Sequence, residues 1–293
     1  MLIENKSEFL LQLTQSKAKM FEYSVPLDEH VKVQKDAIKL LLIAVGCLDE
    51  VSDMIIHSET QVKLEIDSKM ISDLHFSAVF FDSLINSRID NDLNTNYYYL
   101  LGATSYFFCD YIGSAKVMLS FINQNILVDG GGFEKAIWYV LHGNRILLDE
   151  WIPQKRFEKR AKNIVNNYFD YFDNGIMPNL EENFILFNEV LFSGTDREVF
   201  LCEILIALIK KKVLDSALNL LPYYTGLPKQ QWLDEISKNH RLTELWPSQK
   251  RLGENGFFNS RSGIVQMPTS SGKTTGISIM FQTMFLKKVE LLV

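Results

Sequence analysis

The stretch that most constrains this chain lies near its C-terminus: Ile264-Val265-Gln266-Met267-Pro268-Thr269-Ser270-Ser271-Gly272-Lys273-Thr274-Thr275. Its pattern predicts a short apolar strand, a tight loop and then a helix. The loop closes on Gly-Lys-Thr, the last three positions of a phosphate-binding loop. That chemistry needs these residue types in this order. Polyphosphate is held by several inward-pointing backbone N–H groups, so the loop must be small and tightly wound. Gly272 lets the backbone approach the phosphates. Lys273 supplies a point charge, and the Thr274 hydroxyl can take a coordination position on Mg²⁺. The helix opening near Gly272 aims the positive end of its dipole at the same oxygens. Thr269, Ser270, Ser271 and Thr275 complete the lining. The general pattern begins with a glycine where this chain has Met267. The alternative is a chance Gly-Lys-Thr in a strand–turn–helix.

The flanking residues carry more. Pro268-Thr269-Ser270-Ser271-Gly272-Lys273-Thr274 resembles motif I of superfamily 2 helicases of the DEAD/DEAH type. Its Thr-Ser-Ser variant looks most like the superkiller-like branch. Leu245-Trp246-Pro247-Ser248-Gln249 resembles the adenine-reading Pro-x-Gln element that precedes motif I in these enzymes. The resemblance covers about the last fifty residues. It implies a RecA-like α/β ATPase domain over residues 241–293, with ATP and Mg²⁺ as cofactors. Lys273 and Thr274 would be its catalytic pair, Thr274 the metal ligand, and Gln249 the reader of the adenine edge. Trp246 either stacks on that base or packs at a domain junction. In such enzymes the acidic motif that holds Mg²⁺, and the arginines of a second RecA-like domain, lie well downstream of motif I. The expectation is therefore the N-terminal region of a larger ATP-dependent nucleic-acid helicase or translocase, without turnover of its own.

Residues 1–240 read as helical almost throughout. Apolar positions recur at helical spacing from Ile3 to Phe21, from Ala37 to Val45, and from near Thr60 to Leu84. Ser24-Val25-Pro26, followed by Asp28 and Glu29, has the composition of a helix start. The ring-rich segment Asn91–Asp110 holds Tyr97, Tyr98, Tyr99, Tyr106, Phe107 and Phe108. It suits either base stacking or a bulky helix–helix interface, and no basic residues are interleaved among the rings. Gly102, Ala103 and Ala115 are small positions that would let two helices pack closely, as in a tetratricopeptide-type hairpin. A second such segment spans Glu198–Leu221. No sustained 34-residue period accompanies them, so any repeat is degenerate. Gly130-Gly131-Gly132 marks a turn. Thr195 and Glu198 form a capping box ahead of a helix from Phe200 to Lys212, whose terminal Lys210-Lys211-Lys212 complements the helix end or meets a phosphate. The expected fold class is mainly α: an all-α accessory or interaction domain over 1–240, then the start of the RecA-like domain.

Charge divides the chain in the same place. Residues 241–293 carry seven Lys/Arg against three Asp/Glu; of the 30 and 36 in all, the first 240 residues thus hold 23 and 33, a balance of −10. An acidic region of this kind is a poor grip for a phosphate backbone, and it suits either a soluble surface or a protein partner such as a nuclease subunit. Cys47, Cys109 and Cys202 sit in apolar runs without metal-ligand spacing, which fits free thiols in a reducing cytoplasm. No apolar run is long enough to span a bilayer. His30, His57, His75, His142 and His240 show no metalloprotease or nucleophile–base spacing. A helical region of this length before motif I is similar to defence-associated bacterial helicases, including the helicase subunit of the Hachiman system. The competing expectation is a helical protein-interaction module on a P-loop ATPase that does not unwind nucleic acid.

Overall fold

The computed structural model describes residues 5–33, 39–60, 64–88, 94–122, 130–143, 145–178, 180–238, 242–268 and 271–290. Among them the chain is mainly helical. The only β-type pairing among the described residues is an isolated antiparallel bridge between Ser216 and Glu244. Two compact units emerge: Met1–Ser58, Glu65–Val165 and Glu181–Leu208 form the first, and Glu59–Leu64, Asn166–Leu180 and Ile209–Val293 form the second.

The first unit is a run of helices packed on their sequence neighbours. α1 (Asn5–Glu22), α2 (Leu40–His57) and α4 (Thr95–Phe108) all lie against α3 (Ser68–Asn86), and α5 (Ile112–Ser120) folds back on α4. α6 (Phe133–His142) meets both α4 and α5, and the short α7 (Arg145–Asp149) follows it. Caps fix several starts: Asp67 accepts from the Lys69 N–H at 3.0 Å, and Asn94 from that of Tyr97 at 3.2 Å. The core is built from large apolar side chains, among them Leu48, Ile55, Phe80, Phe81 and Leu101. Each such burial contributes roughly 1.5–3 kcal/mol.

The α4–α5 hairpin forms where the small residues stand. A Cβ at Gly102 would lie 2.5 Å from the Met118 methyl, so the close approach depends on glycine's size. The neighbouring rings are used in packing: Tyr98 stacks on Phe81, Tyr99 on Phe121, and the Arg197 guanidinium sits 4.0 Å above Tyr97. The triple-glycine turn precedes α6, with Gly131 and Gly132 at φ +63° and +97°. Three glutamates, Glu134, Glu158 and Glu198, occupy the space that side chains on these glycines would need.

α8 (Glu158–Asn174), α9 (Leu180–Ser193) and α10 (Asp196–Leu214) follow, and the expected capping box stands at the head of α10. The Thr195 N–H donates to Glu198 at 2.8 Å, and the Glu198 N–H donates to the Thr195 hydroxyl at 3.3 Å. In the second unit α11 (Ala217–Thr225) packs on α12 (Lys229–Lys238) and α13 (Pro247–Glu254), and α13 packs on α14 (Lys273–Glu290). Trp232 and Phe258 are fully buried, and the Trp232 indole donates to the Thr225 hydroxyl at 3.1 Å.

Three expectations need correction. Ser24 does not open a helix: it sits at φ +54°, and the described residues after it, up to residue 33, form a 3₁₀ turn, Leu27–Glu29, and no α-helix. Ile264–Met267 is not a strand. It has no regular secondary structure, no described strand lies beside it, and Ile264 is fully exposed; a strand without a hydrogen-bonding neighbour has no ladder to hold it. The apolar run Val289–Val293 reads in sequence as the opening of a further parallel strand, but Val289 and Glu290 continue α14, and residues 291–293 lie outside the described residues.

Candidate phosphate-loop site

The site is built from the start of α13, the irregular segment ahead of α14, and the start of α14. Trp246 is the N-cap of α13, and Pro247 supplies a preset φ at the first helical position. The helix start is closed from within. The Gln249 Oε1 accepts from the Trp246 backbone N–H at 2.9 Å, satisfying a donor that the helix itself cannot. The other end of the same amide reaches across 23 residues of sequence: Nε2 donates to the Gly272 carbonyl at 3.3 Å. Ser248 donates its hydroxyl to the Ser271 carbonyl, and Ser271 donates its own to the Pro268 carbonyl at 2.7 Å.

Gly272 takes φ +83°, a conformation other residues adopt only with strain. A Cβ there would also collide with the Gln249 amide. The Gly272 carbonyl then accepts the first backbone bond of α14, from Gly276 at 3.0 Å. Gly276 is buried, with a Leu252 methyl 2.8 Å from where its Cβ would stand, so α13 and α14 are closely packed at this end. Lys273 and Thr274 face solvent, and Thr275 is half-buried. An ammonium and a hydroxyl thus stand exposed on the first turn of an 18-residue helix, where backbone N–H groups and the helix dipole favour an anion.

The structure therefore brings together Gln249, Ser271 and Gly272, with Lys273 and Thr274 next to them. Thr269 and Ser270 lie outside the described residues. Trp246 is half-buried at the head of α13. Gln249 is 2% exposed, and both ends of its amide bond to protein groups. Ser248 is a tether that the sequence pattern does not single out. Its only signal is a hydroxyl inside the Leu245–Gln249 element.

Beside the site lies a buried ion network that sequence patterning also did not show. Asp215 accepts from Lys211 and from Lys250 of α13, each at 2.8 Å. Lys212 pairs with Glu244. The backbone adds Leu245 N–H to the Asp215 carbonyl at 3.1 Å and Ala217 N–H to that of Thr243 at 3.0 Å. Burial alone would push the Asp215 carboxyl up, but the two ammonium groups outweigh it and hold its pKa below the usual carboxylate value. Lys211 and Lys212 are thus spent on carboxylates.

The three cysteines are buried free thiols. The described residues hold no cluster of three metal-ligating side chains, and no described helix is long and apolar enough to cross a membrane. The His30 ring bonds the Val25 carbonyl at 2.9 Å, a packing role. One titrating cluster stands apart in the first unit. Burial and the carboxyl of Asp49, with Asp53 beyond it, raise the Glu203 pKa to about 7, and His57 lowers it in part. Compared with models of known protein families and with curated proteins, the chain matches none.

Proposed function

We propose that this chain is the N-terminal region of an ATP-dependent superfamily 2 nucleic-acid helicase or translocase, working in a reducing cytoplasm. In this reading Lys273 binds the β- and γ-phosphates of ATP and Thr274 holds Mg²⁺. Ser271 and Gly272, with Thr269 and Ser270, line the loop. The observation that carries the reading is the bond between Gln249 and Gly272: two sequence elements that resemble consecutive motifs of one nucleotide site are hydrogen-bonded to each other. The exposed Lys273 and Thr274 on the first turn of α14 add to it. The acidic motif and second RecA-like domain belong, on this reading, to sequence after Val293, and DNA or RNA is engaged by the complete core.

A second reading has its own support. α9 exposes Phe184, Ile185, Leu191 and Phe192 along one side, and the region before residue 241 is acidic. These features favour a helical protein-interaction module carried on a P-loop ATPase that does not unwind nucleic acid.

Phosphate release by the protein extended through both RecA-like domains tests the first reading. Lys273→Ala removes an electrostatic contact to the transferred phosphate and should lower turnover by about 10²–10³. Because Lys273 is exposed, the melting temperature without nucleotide should not change. Retention of more than about a tenth of the turnover overturns the role given to the loop. Turnover that does not respond to added nucleic acid favours the second reading.

A further inference from the structure

α9 is apolar on two opposite sides. Leu186 and Val190 are buried on one, with Asn183 beside them. Phe184, Ile185, Leu191 and Phe192 stand exposed on the other, Phe192 by 88%. A surface helix ordinarily turns charged and polar residues to water, and a contiguous apolar face there marks a surface that something covers.

The exposed face has an internal symmetry. Taken about Asn188, itself exposed, Phe184 answers Phe192 and Ile185 answers Leu191. At about 100° per residue, the four side chains spread to about 60° on either side of Asn188. A face that reads alike in both directions complements a copy of itself running the opposite way. In such an antiparallel pair Phe184 of one copy lies level with Phe192 of the other, and Ile185 with Leu191. Level partners lean to opposite edges of the contact, so they pass beside each other instead of meeting end-on. The two Asn188 amides meet at the twofold axis. An amide carries both donors and an acceptor, so each can donate to the other's carbonyl.

The charges agree with this arrangement. Eleven positions make close to three helical turns, so Glu182 and Ser193 lie along one edge of α9. The exposed Arg156 guanidinium donates to the Ser193 carbonyl at 3.2 Å, which makes the C-terminal end of that edge basic, whereas Glu182 makes its N-terminal end acidic. Glu189, between them, is paired with Arg160. A twofold axis keeps this edge of both copies on the same side, and antiparallel pairing then brings Glu182 of each copy to Arg156 of the other. A parallel pair would set like charges together. The four apolar side chains expose roughly 500 Å² on each copy. A pair would cover about 1,000 Å² before its polar rim, the low end of specific interfaces and enough for a reversible dimer.

We propose that two copies of this chain associate through the exposed face of α9, as an antiparallel helix pair with its twofold axis at Asn188. A partner of different sequence has no use for a face that reads alike both ways, whereas a second copy requires one. The proposal stands apart from the phosphate loop, so its failure would leave the role of Lys273 as it was.

Sedimentation equilibrium of the 33.8 kDa chain should show a monomer–dimer equilibrium with a micromolar Kd. Phe192→Glu changes an exposed side chain, and it should weaken the dimer at least about ten-fold with a circular-dichroism melt like that of the parent. Phe281→Glu, on the exposed apolar side of α14, should leave the dimer intact. Asn188→Cys tests the register. Packed helices bring facing Cα atoms to about 5 Å, within reach of a disulfide. The three native cysteines are buried, so mild oxidation should give a covalent dimer of this variant and not of the parent. The proposal is overturned by a chain that stays monomeric up to about 100 μM, by a dimer that Phe281→Glu disrupts and Phe192→Glu does not, or by an Asn188→Cys variant that forms no covalent dimer.

Discussion

The side-chain amide of Gln249 lies across the Gly272 carbonyl and fills the space that a side chain at position 272 would need. The start of α13 and the start of α14 are therefore set by one residue. A substitution at either end of this contact should be felt at the other.

Gly272→Ala faces both a positive φ and the Gln249 amide. It should destabilise the chain by about 1–3 kcal/mol. Gln249→Ala makes room but leaves the Trp246 N–H without its acceptor. The double variant should lose less than the two single losses combined. Urea unfolding of all four chains gives the coupling energy, and strict additivity would show that the contact is not formed in solution.

Asp215→Ala removes the carboxylate that Lys211 and Lys250, both largely buried, share. Breaking such a group commonly costs about 3–5 kcal/mol. The carboxyl pKa lies below its unfolded value of about 3.9, so the native state binds fewer protons here. The stabilisation is complete above the unfolded pKa and disappears as pH falls through the folded one. Chemical unfolding at pH 7 should separate wild type from the variant, and at pH 3 the gap should narrow.

Glu203 has the opposite sign. Its pKa, raised to about 7 by burial first and by Asp49 next, means that the folded chain holds a proton the unfolded chain releases. Stability from this group is complete below the unfolded pKa of about 4.3 and falls as pH rises through about 7. Glu203→Gln keeps a neutral side chain in place, so it should melt above wild type at pH 8 and close to it at pH 5. Equal shifts at the two values would remove the basis for this proton.

A chain cut after residue 240 loses Glu244 and Lys250. Lys212 then loses its pairing with Glu244, and Asp215 its pairing with Lys250. Hydrogen exchange should show the end of α10 and the whole of α11 opening early, while α2 to α5 keep the protection of the parent chain. Full protection throughout would mean that the pairs contribute little.

Local signals were legible in the sequence, and long-range ones were not. Thr195 and Glu198 announced their capping box because both partners sit within one turn. Gly102 and Ala115 announced the hairpin because close packing demands small residues. Gly272-Lys273-Thr274 marked the start of α14. By contrast, Ile264–Met267 has strand-like composition, but a strand is made by its neighbour, and none is paired with it among the described residues. Lys250 and Asp215 are 35 positions apart, and nothing in either stretch announces the other. Ser248 and Gln249 were visible as part of a motif, yet their bonds to Ser271 and Gly272 required the fold.

The buried pairs at the end of α10 also govern how a search for nucleic-acid contacts should be run. Lys210-Lys211-Lys212 is the kind of basic triplet that charge-swap screens target first. Reversing Lys211 or Lys212 would place a carboxylate beside Asp215 or Glu244, and lost binding would then report a damaged helix end rather than a lost contact. Lys210, half-exposed while its two neighbours are buried, is the position in the triplet where such a screen should begin.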